Sequence, residues 1–120
     1  MAKVLIVDDS PTETNKLTSM LERHGHSVSC AGNGEEGVAK ARAEIPDIVL
    51  MDVVMPGLNG FQATRQLSRG TETAAIPVII VTTKDQETDR VWGMRQGAKA
   101  YLTKPIDETE LINTITRVCG

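Results

Sequence analysis

The 120-residue chain has the size of one domain, and its 40% apolar and 24% charged residues are ordinary for a water-soluble globular protein. A formal net charge of −3, with Lys and Arg scattered along the chain, argues against the basic stripe of a nucleic-acid-binding surface. No apolar run approaches the ~20 residues of a membrane span, and Met1-Ala2-Lys3 meets Asp8-Asp9 too soon for a signal peptide.

Residues 4–7 are continuously apolar, which suits a central strand covered on both faces. Ser10-Pro11-Thr12-Glu13 then writes a helix start, with a capping hydroxyl, proline at the first helical position and glutamate three residues past the cap. Leu17, Met20 and Leu21 share one face of that helix, and Gly25 suits its stop. The weaker run 27–31 fits a strand nearer a sheet edge. Asn33 with Glu36 opens a second helix, residues 48–51 form another continuous apolar strand, and Asn59 with Gln62 opens a third helix. Residues 78–81 repeat the central-strand pattern; a fourth helix stops at Gly97, and 100–102 is a second weak strand. Asp107 with Glu110 starts a last helix that carries Leu111, Ile112, Ile115 and Val118 on one face. Only Phe61, Trp92 and Tyr101 are aromatic, so the core is expected to be aliphatic.

Strict alternation of strand and helix with short connections implies a parallel sheet wrapped on both sides. Right-handed crossovers then favour an α/β, flavodoxin-like doubly wound sheet of order 2-1-3-4-5. One domain over residues 1–120, with no output domain, is the expected organisation. Cys30 and Cys119 lack metal or redox spacing and are expected to be reduced, as in a cytoplasmic protein.

Such sheets bind ligands beyond the carboxyl ends of their strands, at the switch point between the first and third. Asp8 and Asp9 end the first strand here and Asp52 ends the third; Thr82 and Thr83 follow the fourth, and Lys104 follows the fifth. Three adjacent carboxylates repel one another and call for a compensating cation. An oxygen-rich site open to water fits Mg²⁺ (or Mn²⁺), which keeps several waters and also binds phosphate oxygens. Three carboxylates, a divalent ion and Lys104 bring the site near neutrality, which suits phosphoryl transfer.

The segments "VDDSP", "LMDVVMPGLNG", "VIIVTTKD" and "YLTKPID" resemble, in order and over the whole chain, the receiver domains of two-component response regulators. The resemblance implies that Asp52 is the phosphoacceptor and that Asp8, Asp9, Asp52 and the backbone carbonyl of Val54 hold the metal. It also implies that Thr82 and Lys104 stabilise the phosphoryl oxygens and that the Lys104–Pro105 bond is cis. Tyr101 would be the aromatic switch that moves as Thr82 closes; as a plain structural residue it would be half-buried with its hydroxyl in water. The phosphodonor would be a sensor histidine kinase or a small phosphodonor. A downstream protein target is expected on the fourth helix, fifth strand and fifth helix (residues 84–95, Tyr101 and 106–117), without nucleic acid or membrane insertion. Longer phrases, "MPGLNGFQATRQL" and "IPVIIVTTKDQETDRVWGMRQGA", resemble chemotaxis-like receivers of twitching motility.

Val54, two residues past the acceptor, and Lys84, two past Thr82, border the path of a hydrolytic water. Valine cannot orient that water, so a long phosphoryl lifetime is expected, with Val54 and Lys84 as rate-tuning positions. Two rival functions stand beside the phospho-switch. An aspartate-nucleophile phosphatase of the haloacid dehalogenase type would need a second aspartate where Val54 stands, so turnover of an external substrate is not expected. A pseudo-receiver interaction module, or a phosphate sink without direct output, is the other. Trp92 either packs on a neighbouring helix, with Gly93 allowing close approach, or anchors a partner. His24 and His26 flank Gly25, where a histidine cation would complement the helix dipole.

Overall fold

The strands and helices written in the apolar pattern form in that order. In the computed structural model, which describes residues 1–119, the elements are β1 (Lys3–Val7), α1 (Pro11–Arg23), β2 (Ser27–Ala31), α2 (Gly34–Glu44), β3 (Ile48–Met51), α3 (Gly60–Arg69), β4 (Val78–Thr82), α4 (Glu87–Arg95), β5 (Ala100–Thr103) and α5 (Glu108–Cys119). The five strands pair in parallel in the order β2-β1-β3-β4-β5, which puts the two weaker runs at the edges as their composition predicts.

Alternation along the strands divides the core into two layers. Val4, Ile6, Ile48, Leu50, Ile79 and Val81 face Leu17 and Leu21 of α1 and Leu111 and Ile115 of α5. Leu5, Val7, Val49, Met51 and Val78 face Val38 and Ala41 of α2 and Ala63 and Leu67 of α3. Each fully buried aliphatic side chain contributes about 1.5–3 kcal/mol. A third cluster, Val53, Ile80, Ala98 and Tyr101, seats α4 against the edge of the sheet, with Phe61 packed beside it.

The caps close as read. Ser10, Asn33, Asn59 and Asp107 each accept a hydrogen bond from the backbone N–H three residues on. At Asn59 the box is reciprocal, since Gln62 Oε1 accepts from the Asn59 N–H. Gly25 and Gly97 take positive φ at the ends of α1 and α4, as expected of helix stops. Cys30 and Cys119 are free.

Two expectations are corrected. His26 is not a helix-end cation: its Nδ1 accepts the Ala2 N–H at 3.0 Å, which requires an unprotonated nitrogen. Burial, the Met1 amine and His24 all push its pKa down. Its neighbour His24 instead faces a carboxylate, with Nε2 2.9 Å from Glu108 Oε2 at the start of α5. Gly93 does allow a close approach, but to β4 and β5 rather than to a helix. A Cβ there would lie 2.6 Å from Ile80 Cδ1 and 3.2 Å from Tyr101 Cδ2. Trp92 beside it is about half exposed at 48%.

Candidate functional site

Parallel register brings the polar residues to one edge. Val7 is paired with Met51, so Asp8 and Asp52 leave their strands side by side, and the Asp52 N–H donates to the Val7 carbonyl at 2.9 Å. Thr82 is paired with Thr103, which puts Lys104 one step beyond, its N–H donating to the Thr82 carbonyl at 2.7 Å. The Lys104–Pro105 bond is cis. Asp8, Asp52, Thr82 and Lys104, far apart in sequence, are thus brought to the same edge because Thr82 ends its strand and each of the others follows the last residue of one.

Asp8, Asp9 and Asp52 each offer a carboxylate oxygen within 4.8 Å of the others. Asp8 and Asp52 are buried and Asp9 is exposed, so the cluster opens on one side. Each buried acid has one oxygen fixed by backbone: Asp8 Oδ1 accepts from the Ser10 N–H at 2.9 Å, and Asp52 Oδ1 from the Val54 N–H at 3.1 Å. The other oxygens face Lys104, whose Nζ lies 2.7 Å from Asp8 Oδ2 and 3.4 Å from Asp52 Oδ2.

The electrostatics point one way. Burial pushes the Asp8 carboxyl up, and repulsion from Asp52 adds to this against the opposing pull of Lys104 and the Ser10 N–H. Burial alone would lower Lys104, but the hydrogen bond to Asp8 and the charges of Asp52, Asp8 and Glu13 outweigh it and hold the ammonium above its ordinary value. With three carboxylates gathered around one ammonium, the cluster is short of positive charge. A donor set made only of carboxylate oxygens, open to water on one side, suits a hard divalent ion such as Mg²⁺.

Thr82, the last residue of β4, is fully buried, and its Oγ1 accepts from the Lys84 N–H at 3.5 Å. The Lys84 carbonyl accepts the Tyr101 hydroxyl at 2.9 Å. Tyr101 is therefore buried and hydrogen-bonded to backbone, rather than half-buried with its hydroxyl in water. Val54 and Lys84 are exposed, Val54 at 48%.

Several contacts that shape this edge were not read from the sequence. A Cβ on Gly60 would stand 2.0 Å from the Asp52 carbonyl oxygen, so glycine is what lets α3 seat against the Asp52–Val53 segment. The Asn-Gly pair at the helix start was the available signal. Glu35 Oε1 accepts the Leu58 N–H at 2.7 Å and ties α2 to the loop after β3, a contact with no local signature.

Comparison with known proteins agrees with this geometry. Residues 4–116 match the response regulator receiver domain family. The chain belongs to that family. This two-component receiver is 72% identical to protein PilH of Pseudomonas aeruginosa over 118 residues, covering 98% of both chains. It is 39% identical to the response regulator PleD of Caulobacter vibrioides, of which it spans 26%. Among solved structures, the Vibrio cholerae chemotaxis protein CheY4 superposes with a TM-score of 0.91 at 32% identity, over 98% of each chain. The receiver domain of a Pseudomonas aeruginosa sensor histidine kinase, PA1611, superposes at 0.92 with 29% identity, over 99% of this receiver and 98% of that chain; it carries a magnesium ion in its active-site cleft. Among the described residues, no helix is long and apolar enough to cross a membrane.

Proposed function

We propose that Asp52 accepts a phosphoryl group, from the phosphohistidine of a sensor histidine kinase or from a small phosphodonor, and that the modified receiver signals by a change of shape. The observation that carries this reading is Asp52 itself. It is a buried carboxylate with one oxygen fixed by backbone, the other near an ammonium, and two further acids within 4.8 Å.

An Asp52 carboxylate oxygen attacks phosphorus, and the bond from phosphorus to the donor nitrogen breaks. The imidazole leaves with the electron pair, and the product on Asp52 is an acyl phosphate. Asp8, Asp9, Asp52 and the Val54 carbonyl would hold Mg²⁺ (or Mn²⁺), which when bound neutralises charge on the transferring group. Lys104 is set to pair with one phosphoryl oxygen, and Thr82 to donate its hydroxyl to another. Hydrolysis by water then cleaves the P–O bond and restores the carboxylate. The chain thereby catalyses its own modification and its own reset, without turnover of an external substrate.

When the Thr82 hydroxyl turns to the phosphoryl group it leaves the Lys84 N–H, and the same residue carries, on its next peptide unit, the carbonyl that holds Tyr101. The switch is a shift in population between packings of this loop, Tyr101, α4, β5 and α5. That face, where Val91, Trp92 and Met94 are all about half exposed, is the proposed docking surface for a downstream protein in the cytoplasm. The similarity to PilH supports a role in type IV pilus or chemotaxis-like signalling.

The test is mass spectrometry of the protein incubated with a small phosphodonor. A gain of roughly 80 Da that requires Mg²⁺ and disappears in Asp52→Asn is expected. No gain in mass points to an interaction module, and steady release of phosphate from an external ester points to a phosphatase; either result overturns the reading.

A further inference from the structure

Tyr101, the chain's single tyrosine, is held from four sides. Val53, Ile80 and Ala98 floor the ring, with Phe61 beside them. Gly93 forms one wall, where a Cβ would lie only 3.2 and 3.3 Å from ring carbons Cδ2 and Cε2. The hydroxyl is anchored on the Lys84 carbonyl. The fourth side is closed by Arg90, whose guanidinium carbon stands 5.2 Å from the ring centroid.

Arg90 does more than lie on the ring. One arm of its fork donates to Thr103 Oγ1 at 2.8 Å and the other to the Tyr101 carbonyl at 3.4 Å. The side chain therefore starts on α4, crosses the aromatic face and is pinned on β5. A planar fork can stack and donate in two directions at once, which a lysine ammonium cannot do. An outward swing of the ring has to displace this bar and break its bonds. None of the groups Arg90 touches belongs to the acceptor site.

We infer that Arg90 is a positioning residue that bars the outward swing of Tyr101, so that the switch is set from α4 as well as from Thr82. This rests on the switch reading of Tyr101 given above. The two inputs are separate: Thr82 acts through the backbone of Lys84 on the hydroxyl end of the tyrosine, whereas Arg90 acts on its ring face and backbone.

With one tyrosine in the chain, the full-length protein grown with 3-fluorotyrosine gives fluorine NMR signals from position 101 alone. Without any phosphodonor, Arg90→Ala is expected to lower the ratio of inward to outward ring about two- to fivefold, the range of an exposed cation–π contact. The signal moves towards that of free fluorotyrosine and broadens more with a soluble paramagnet. Thr103→Val, nearly isosteric and lacking the acceptor, is expected to shift it the same way by less, and it carries the test if Arg90→Ala does not fold. Arg90→Lys is expected to recover only part of the loss. A signal for Arg90→Ala at the wild-type position and accessibility overturns the inference. Adding phosphodonor and Mg²⁺ then reads the switch separately. If no variant responds, the switch reading fails, while a difference between wild type and Arg90→Ala before addition still reports the bar.

Discussion

Val54 and Gly60 constrain Asp52 from different directions. The Val54 N–H fixes one Asp52 carboxylate oxygen while its own side chain stands exposed. An isopropyl group neither donates nor accepts, so we propose that it does not orient the water that attacks the acyl phosphate. Val54→Asn is expected to speed loss of the phosphoryl group about tenfold, or ~1.4 kcal/mol of barrier, followed as decay of the added mass after the donor is removed. An unchanged or slower decay contradicts this role. Gly60 works from behind, where a Cβ would stand 2.0 Å from the Asp52 carbonyl oxygen and 2.6 Å from Val53 Cα. Because both obstacles are backbone, Gly60→Ala has to displace α3, and such overpacking costs about 1–3 kcal/mol. A lower urea midpoint together with slower phosphorylation of Asp52 is expected; an unchanged midpoint would show that the helix can shift freely.

At the level of elements, what carries a cap pair or a continuous apolar run was legible and what carries neither was not. Asn59 with Gln62 announces the start of α3 because cap and partner are three residues apart, and the continuous apolar runs announce β1, β3 and β4. The end of α2 carries no such mark. The helix stops at Ile45, which takes φ 46° and ψ 65° ahead of Pro46, a left-handed conformation unfavourable to a β-branched side chain. Here the helix closes ahead of a proline, with the Ile45 N–H donating to the Ala41 carbonyl, and not at a glycine. Ile45 is 46% exposed, so little apolar burial is lost on truncation. Ile45→Gly is expected to raise the unfolding free energy by about 1 kcal/mol, read from urea denaturation; a lower value would mean that the isoleucine side chain outweighs the strain. The start of α4 was equally silent, since Gln86 makes no side-chain cap bond. The bar from Arg90 to Thr103 crosses elements and leaves no trace in either one's pattern.

Across the whole molecule, the two ends of the sheet do different work. The carboxyl ends of the strands gather Asp8, Asp52, Thr82 and Lys104, and this edge was legible because a parallel register carries every residue at or just past a strand end to the same side. The amino ends are tied by backbone to side-chain bonds. The Ala2 N–H donates to His26 Nδ1, and the Lys3 N–H donates to Asp47 Oδ2 at 2.7 Å. These bonds join segments 24 and 44 residues apart, so no motif foretold them. A histidine whose pKa is lowered on folding binds fewer protons in the native state, so stability rises with pH across its titration. The contribution of His26 is therefore present above the ordinary imidazole range and fades as pH falls through its folded value. The stability difference between wild type and His26→Gln, measured by urea unfolding at a series of pH values, is expected to shrink on acidification below about pH 6.5. A constant difference would show that the Ala2 contact does not depend on a neutral ring.

Everything proposed for the switch depends on one atom of one side chain becoming bonded to phosphorus. Borohydride reduces an acyl phosphate to the alcohol and so marks the aspartate that carried it. Treating the phosphodonor-loaded protein in this way and sequencing its peptides is expected to find homoserine at position 52 and at no other aspartate. Reduction at Asp8 or Asp9, or recovery of Asp52 unchanged from protein that had gained mass, would contradict the account.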